Sequence, residues 1–289
     1  MSRRSVTPVI TLTVKTTGLK KREVENLGHY EFMAYIGVPY FRWGGMDTTD
    51  KLASLCGVEK GKRVLLVGCG TGYSAFHLAK NYECEVVGVD ISNFLITVAQ
   101  EKVEEMGLGG LVSFEVGDAH DLQFDDGSFG VVLTESVVIF LDKERALLEF
   151  ARVLRPGGFL GISEIYQADD APEEVSNRIE EAARMLSENV GVEVTVPTPR
   201  QWIGHMSDAG LQSIQTEKQE IGLTSGDWAE VVGRAGVARV SLKAMYYLLR
   251  SKKIRGRLQR DKRVREMFME DETTKKFFGP LLCVGTKPG

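Results

Sequence analysis

The chain is poor in the groups from which many functional sites are assembled. Its four cysteines, Cys56, Cys69, Cys84 and Cys283, are scattered and form no Cys-x-x-Cys pair, which excludes the usual zinc and dithiol spacings and fits reduced thiols in a cytoplasmic protein. It has only four histidines, with no cluster of ligands around them, so no metal site is expected. No apolar run is long enough to span a bilayer; the best candidate, 129–141, is broken by Thr134, Glu135 and Ser136. The opening Met1-Ser2-Arg3-Arg4 lacks a long apolar follow-on, so no secretory leader is expected. At 289 residues and 43% hydrophobic, the chain can bury a sizeable core as one large domain or two small ones. Its net charge is −4, unevenly spread: residues 243–267 hold ten basic side chains against Asp261 and Glu266.

What is present is organised around one stretch. Val64-Leu65-Leu66-Val67 is an apolar run too short for a helix and reads as a buried strand. Gly68, Gly70 and Gly72 follow at once, and a helix begins at 73. A strand, a glycine turn and a helix form the opening of a nucleotide-binding unit, in which free N–H groups at the helix start face the ligand. The spacing is Gly-x-Gly-x-Gly, not the Gly-x-Gly-x-x-Gly of dinucleotide sites. A second strand, 85–90, ends in Asp90, an acid placed to accept hydrogen bonds from ribose hydroxyls. A third, 112–116, leads to Asp118, and a fourth, 129–134, leads to Glu135. Gly68, Asp90, Asp118 and Glu135 therefore all fall at carboxyl ends of successive strands, where an open α/β sheet binds its ligand.

With Arg155-Pro156-Gly157-Gly158 entering a fifth strand, the chain resembles the class I S-adenosylmethionine-dependent methyltransferases, of the small-molecule type related to those of ubiquinone and menaquinone biosynthesis. The resemblance covers roughly residues 40–165 well. It implies a Rossmann-like, doubly wound α/β sheet of seven strands, the last antiparallel, with helical cap insertions. It implies S-adenosylmethionine as cofactor, with its methionine part wrapped by Gly68, Cys69, Gly70, Thr71 and Gly72. Asp90 would bind the ribose and Asp118 would meet the adenine amine, with His120 near the adenine rim and Ile91 and Ala119 also touching the cofactor. Two positions depart from the family: Leu66 replaces an acid usual two residues before the first glycine, and Phe129-Gly130 replaces Phe-Asp at the fourth strand.

The chain divides in order into an arm and cap helix (1–45), the cofactor-binding core (46–168), a helical lid (169–197), a returning helix and sixth strand (198–224), a basic helical insertion (225–277) and the last strand (278–289). Residues 9–14 alternate as a short edge strand would, and Asp47 is placed to N-cap the following helix. The aromatic loop 37–45, with Tyr40, Arg42 and Trp43, either begins the substrate pocket or is a packed hinge.

Methyl transfer asks the protein to align and desolvate an acceptor and, where the acceptor carries a proton, to remove it. Histidine suits that task near neutral pH. The candidates are His29 and Tyr30, just before the aromatic loop, and Glu135, whose carboxylate could balance the sulfonium, bind an amine or act as base. Ser136 and Tyr166 join Tyr40, Arg42 and Trp43 as candidate pocket residues, and Glu164 is a weaker candidate. The leading expectation is a small organic acceptor under the helical insertions. The basic segment 243–267 leaves open an RNA, protein or lipid-like acceptor, although aromatic residues are few there, which argues against base stacking. A third reading is a non-catalytic regulator that binds S-adenosylmethionine.

Overall fold

The computed structural model describes residues 19–38, 45–219 and 225–289. The expected edge strand over 9–14 and the pocket candidates Tyr40, Arg42 and Trp43 lie outside the described residues.

Two short helices open the described chain, α1 (Lys21–Asn26) and α2 (His29–Ile36), where the sequence predicts one. Gly28 separates them as the N-cap of α2, and the Glu31 carboxylate accepts from the Gly28 N–H at 2.8 Å. Helix α3 (Met46–Leu55) is capped by Gly45, and Asp47 sits in its first turn instead of at the cap. The alternating unit follows: β1 (Arg63–Val67), α4 (Tyr73–Tyr82), β2 (Glu85–Asp90), α5 (Asn93–Met106), β3 (Val112–Val116), β4 (Phe129–Glu135), α6 (Lys143–Val153) and β5 (Leu154–Gln167). The remainder is α7 (Glu173–Val190), α8 (Pro199–Asp208), β6 (Gln212–Lys218), α9 (Ser225–Arg250), α10 (Lys252–Arg265) and β7 (Phe278–Thr286). Thr198 and Pro199 start α8 as N-cap and first helical residue, as their order requires.

The seven strands form one sheet in the order β3-β2-β1-β4-β5-β7-β6. Strands β1 to β5 pair in parallel, and β7 lies antiparallel between β5 and β6. Parallel strands covered on both faces must be apolar on both, and β1 shows this directly. Leu65 and Val67 join the core beneath α6, α7 and α8, while Val64 and Leu66 join the core against α3, α4 and α5. The reversal of strand order between β1 and β4 opens a crevice above their carboxyl ends.

The two insertions pack on each other and on the N-terminal helices. Arg260 Nε donates to Asn189 Oδ1 of α7 at 2.6 Å, and Arg263 pairs with Glu181 at 3.1 Å. Tyr247 of α9 packs edge-on against Phe32 and Tyr35 of α2. Much of the basic segment's charge is thus engaged within the molecule. Arg255 donates to the carbonyls of Leu248 and Leu249 at the end of α9, and Arg257 to those of Leu27 and Gly28. Lys243 reaches the Tyr35 carbonyl, and Lys262 pairs with Glu266.

Candidate active site

A cavity of about 600 Å³ lies over the carboxyl ends of β1, β2 and β4. Its floor is the glycine turn. Gly68 has φ +67°, and a Cβ there would lie 2.2 Å from Val137 Cγ2, so no other residue fits. Gly70 has φ +55°, and a Cβ there would point into open space, the cradle that a close-lying ligand requires. The turn is tied to β2 by N–H groups of Gly68 and Cys69, which both donate to the Val89 carbonyl at 2.7 and 3.0 Å. Cys69 is buried, and burial holds its thiol well above its ordinary pKa, so it contributes backbone instead of reactivity.

Asp90 faces this turn. Its carboxylate accepts from the Gly70 N–H and the Ser92 N–H, both at 2.9 Å, using one lone pair on each oxygen. Two acceptor sites remain for ligand hydroxyls. Burial pushes its pKa up, and those two N–H groups oppose the rise. Beside it Ile91 is 74% exposed on the cavity rim, a large apolar side chain with a face left for a ligand. Asp118 accepts from the His120 N–H at 2.9 Å and from His120 Nδ1 at 2.8 Å, while the Asp142 N–H donates to Nε2 at 3.1 Å. That last bond makes Nε2 the acceptor and places the imidazole proton on Nδ1. The His120 N–H is the main cause holding the Asp118 carboxyl below its usual value.

Glu135 lines the cavity at the tip of β4, where Thr49 Oγ1 and Ser74 Oγ each donate to one of its oxygens. Leu66, the position at which the acid is missing, pairs in register with Leu133, two residues before Glu135 on the neighbouring strand. Ser136 also lines the cavity and holds φ 58°, with its N–H donated to the Ser163 carbonyl at 2.8 Å. A non-glycine residue in the left-handed region is sustained only where its surroundings impose it.

The outer part of the cavity is walled by Met33, Ala34 and Val38 on one side and by Phe140, Leu141, Val190 and Val192 on others. His29 and Tyr30 are the polar groups of α2 at this end. His29 is 3% exposed, and its Nε2 lies 3.7 Å from Asp261 Oδ1 of α10. Burial, then the guanidinium groups of Arg257 and Arg260, lower its pKa from 6.5 to about 4, so the imidazole is neutral at pH 7. Burial and the negative charge of Asp261 and Glu164 push the Tyr30 phenol up, which keeps it a donor.

Every described candidate from the glycine turn, β2, the β3 loop and β4 borders this cavity except Gly72. Gly72 is the N-cap of α4 at φ +81°, and a Cβ there would meet Phe114 Cζ at 2.4 Å, so its role is packing beneath the turn. Tyr166 does not reach the cavity. It is 7% exposed near the end of the β5–β7 ladder, opposite Gly279, because β5 continues to Gln167. Glu164 is likewise interior. It accepts from the Val137 and Val138 N–H groups, and burial raises it to about 7.

Sequence reading missed Glu31, Ser74, Thr49 and Asp261. Glu31 lines the cavity, its Oε1 accepting from Ser92 Oγ at 2.6 Å. Its only local signal is a position three residues after Gly28, a helix-start pattern. Asp261 is far from His29 in sequence and reads as one of two acids in a basic run.

The model of a methyltransferase domain family matches residues 58–232. An uncharacterized protein of Haemophilus influenzae is 30% identical over 70% of this chain and 78% of its own length. An O-methyltransferase of Penicillium expansum is 37% identical over 51% of this chain, and the match spans 55% of that protein, about half of it. A crystal structure of the cyclase SpnF superposes with a TM-score of 0.65 at 19% identity over 90% of this chain and 93% of that one, a likeness of fold.

Proposed function

Because this chain belongs to the class I S-adenosylmethionine-dependent methyltransferases, we propose that it methylates an oxygen of a small, uncharged, largely apolar acceptor. The observation that carries this reading is the aliphatic and aromatic lining of the cavity around His29 and Tyr30, from Met33, Ala34, Val38, Phe140, Leu141 and Val190.

The bound cofactor supplies an electrophilic methyl group. The residues present fit it: Gly70 leaves room beside the turn, Asp90 keeps two acceptor sites for the ribose hydroxyls, Ile91 borders the same cavity, and Asp118 borders it for the adenine. Glu135 places negative charge beside the turn, from the strand next to the one where Leu66 has replaced the usual acid. Its oxygens accept hydrogen bonds from two hydroxyl groups, which fixes the carboxylate in place and suits holding a cationic ligand.

At the acceptor end, His29 removes the hydroxyl proton, Tyr30 donates a hydrogen bond to the acceptor, and the aliphatic walls exclude water. Asp261 acts as a positioning residue behind His29. Among the described residues no lysine or arginine lines the cavity. A phosphate-bearing or carboxylate-bearing acceptor would be desolvated there without a counter-charge, which costs several kcal/mol or more. The same reasoning weighs against an RNA phosphate entering the cavity, where no described lysine or arginine would meet it.

The test is incubation with labelled S-adenosylmethionine and a panel of phenols and apolar alcohols, alongside phosphorylated amines and RNA. Methyl ethers formed by the native protein and lost in His29→Gln are the expected outcome. Turnover of the amines or RNA with inert hydroxyl compounds would overturn the assignment, and cofactor binding without turnover of any compound would favour a regulator.

A further inference from the structure

Helix α9 packs against α2 with one side and, among the described residues, leaves another uncovered. Lys243 donates to the Tyr35 carbonyl, and Tyr247, 6% exposed, lies between Phe32 and Tyr35. On the uncovered side stand Leu242, Met245, Tyr246 and Leu249, at 72, 54, 46 and 71% exposure. Their spacing of three and four residues aligns them in one stripe along the helix. Scattered exposed apolar residues need no explanation, but four in a row on one face of a helix do.

Along the chain on either side of the stripe the charges are of one sign. Residues 236–260 contain no acid. Arg239, Arg250, Lys252 and Lys253 are exposed around the stripe, and the Arg250 guanidinium lies over the Tyr246 ring at 4.3 Å. These are cations left over after Lys243, Arg255, Arg257, Arg260 and Arg263 have been engaged internally.

We propose that this face of α9 docks on an anionic lipid surface, with the four apolar side chains entering the headgroup boundary and the flanking cations meeting lipid phosphates. An apolar stripe bordered by lysine and arginine is what a helix lying in a membrane interface requires. A second copy of the chain is the poorer occupant, because a two-fold pairing would bring the same acid-free cations face to face. No helix among the described residues is long and apolar enough to cross a membrane, so the contact would be peripheral. Docking would set α2, whose other face lines the cavity, close to the lipid and give an apolar acceptor a short path in.

The experiment is co-sedimentation of the full chain with vesicles of phosphatidylcholine alone and of phosphatidylcholine mixed with phosphatidylglycerol. Binding to the mixed vesicles, weakened by salt and absent from the neutral ones, is expected. Lys252→Glu with Lys253→Glu should lower partitioning by on the order of tenfold or more, and Leu242→Asp with Leu249→Asp should abolish it. All four side chains are exposed, so both variants should keep the native melting temperature and cofactor affinity, which separates this inference from the function proposed above. No pelleting with anionic vesicles at low salt, or equal pelleting of the variants, overturns it. So does a dimer seen by light scattering that Leu242→Asp with Leu249→Asp converts to monomer, because the face would then be an interface between copies.

Discussion

His29 Nε2 and Asp261 Oδ1 approach to 3.7 Å across the junction of α2 and α10, joining a cavity wall to the basic insertion. The pair predicts a division of labour. His29→Gln should lower kcat by on the order of 10²–10⁴ with cofactor binding intact. Asp261→Asn should lower kcat by about tenfold and leave KM unchanged, as expected of a positioning residue. Steady-state kinetics with calorimetric binding measures both.

The low pKa of His29 also enters stability. Below pH 6.5 the unfolded chain takes up a proton that the folded chain refuses until about pH 4. Its contribution is therefore complete above 6.5 and is lost as pH falls through that window, by about 3 kcal/mol. Urea unfolding of the native protein and His29→Gln at pH 7 and pH 5 should show the smaller loss in the variant.

Asp90 accepts from the Gly70 and Ser92 N–H groups, and the proposed function gives its remaining acceptor sites to the ribose. Asp90→Ala should weaken S-adenosylmethionine by on the order of 100-fold, from two lost charge-assisted hydrogen bonds. Unchanged affinity by calorimetry would remove Asp90 from the cofactor site.

Glu135→Gln keeps the size of the side chain and removes its charge. If Glu135 offsets the sulfonium, the variant should lose about tenfold in affinity for S-adenosylmethionine and less for the neutral thioether S-adenosylhomocysteine. Equal losses for the two ligands would assign the carboxylate to another part of the cofactor.

Lys102 is 5% exposed on α5, and its Nζ is 3.4 Å from the Thr71 carbonyl of the glycine turn. Burial lowers its pKa from 10.5 to about 8. The unfolded chain binds the extra proton between those values, so this group makes the protein more stable as pH rises from 8 to 10.5. Lys102→Met should be stabilised by about 3 kcal/mol at pH 7 and should lack that alkaline gain relative to the native protein in urea titrations.

The fold was legible because its signals are local. Short apolar runs, glycine turns and acids at strand ends recur in order, and each reports on a few neighbouring residues, as Val64 to Gly72 and Glu85 to Asp90 do. The glycine turn, Asp90, Asp118 and Glu135 border one cavity for the same reason: parallel strands bring their carboxyl ends to one edge. Tyr166 was misplaced because strand length is not encoded locally; β5 runs on to Gln167 where β7 supplies a partner for each residue.

The sequence alone determined a parallel sheet with a glycine turn and acids at its strand ends, since periodicity and spacing are properties of adjacent residues. Only the tertiary structure brought Asp261 behind His29, Thr49 and Ser74 onto Glu135, and the cations of α10 onto α7 and the loop before α2. Those contacts join residues far apart in the chain, where burial and charge are set by which elements pack together, and no local pattern records that choice.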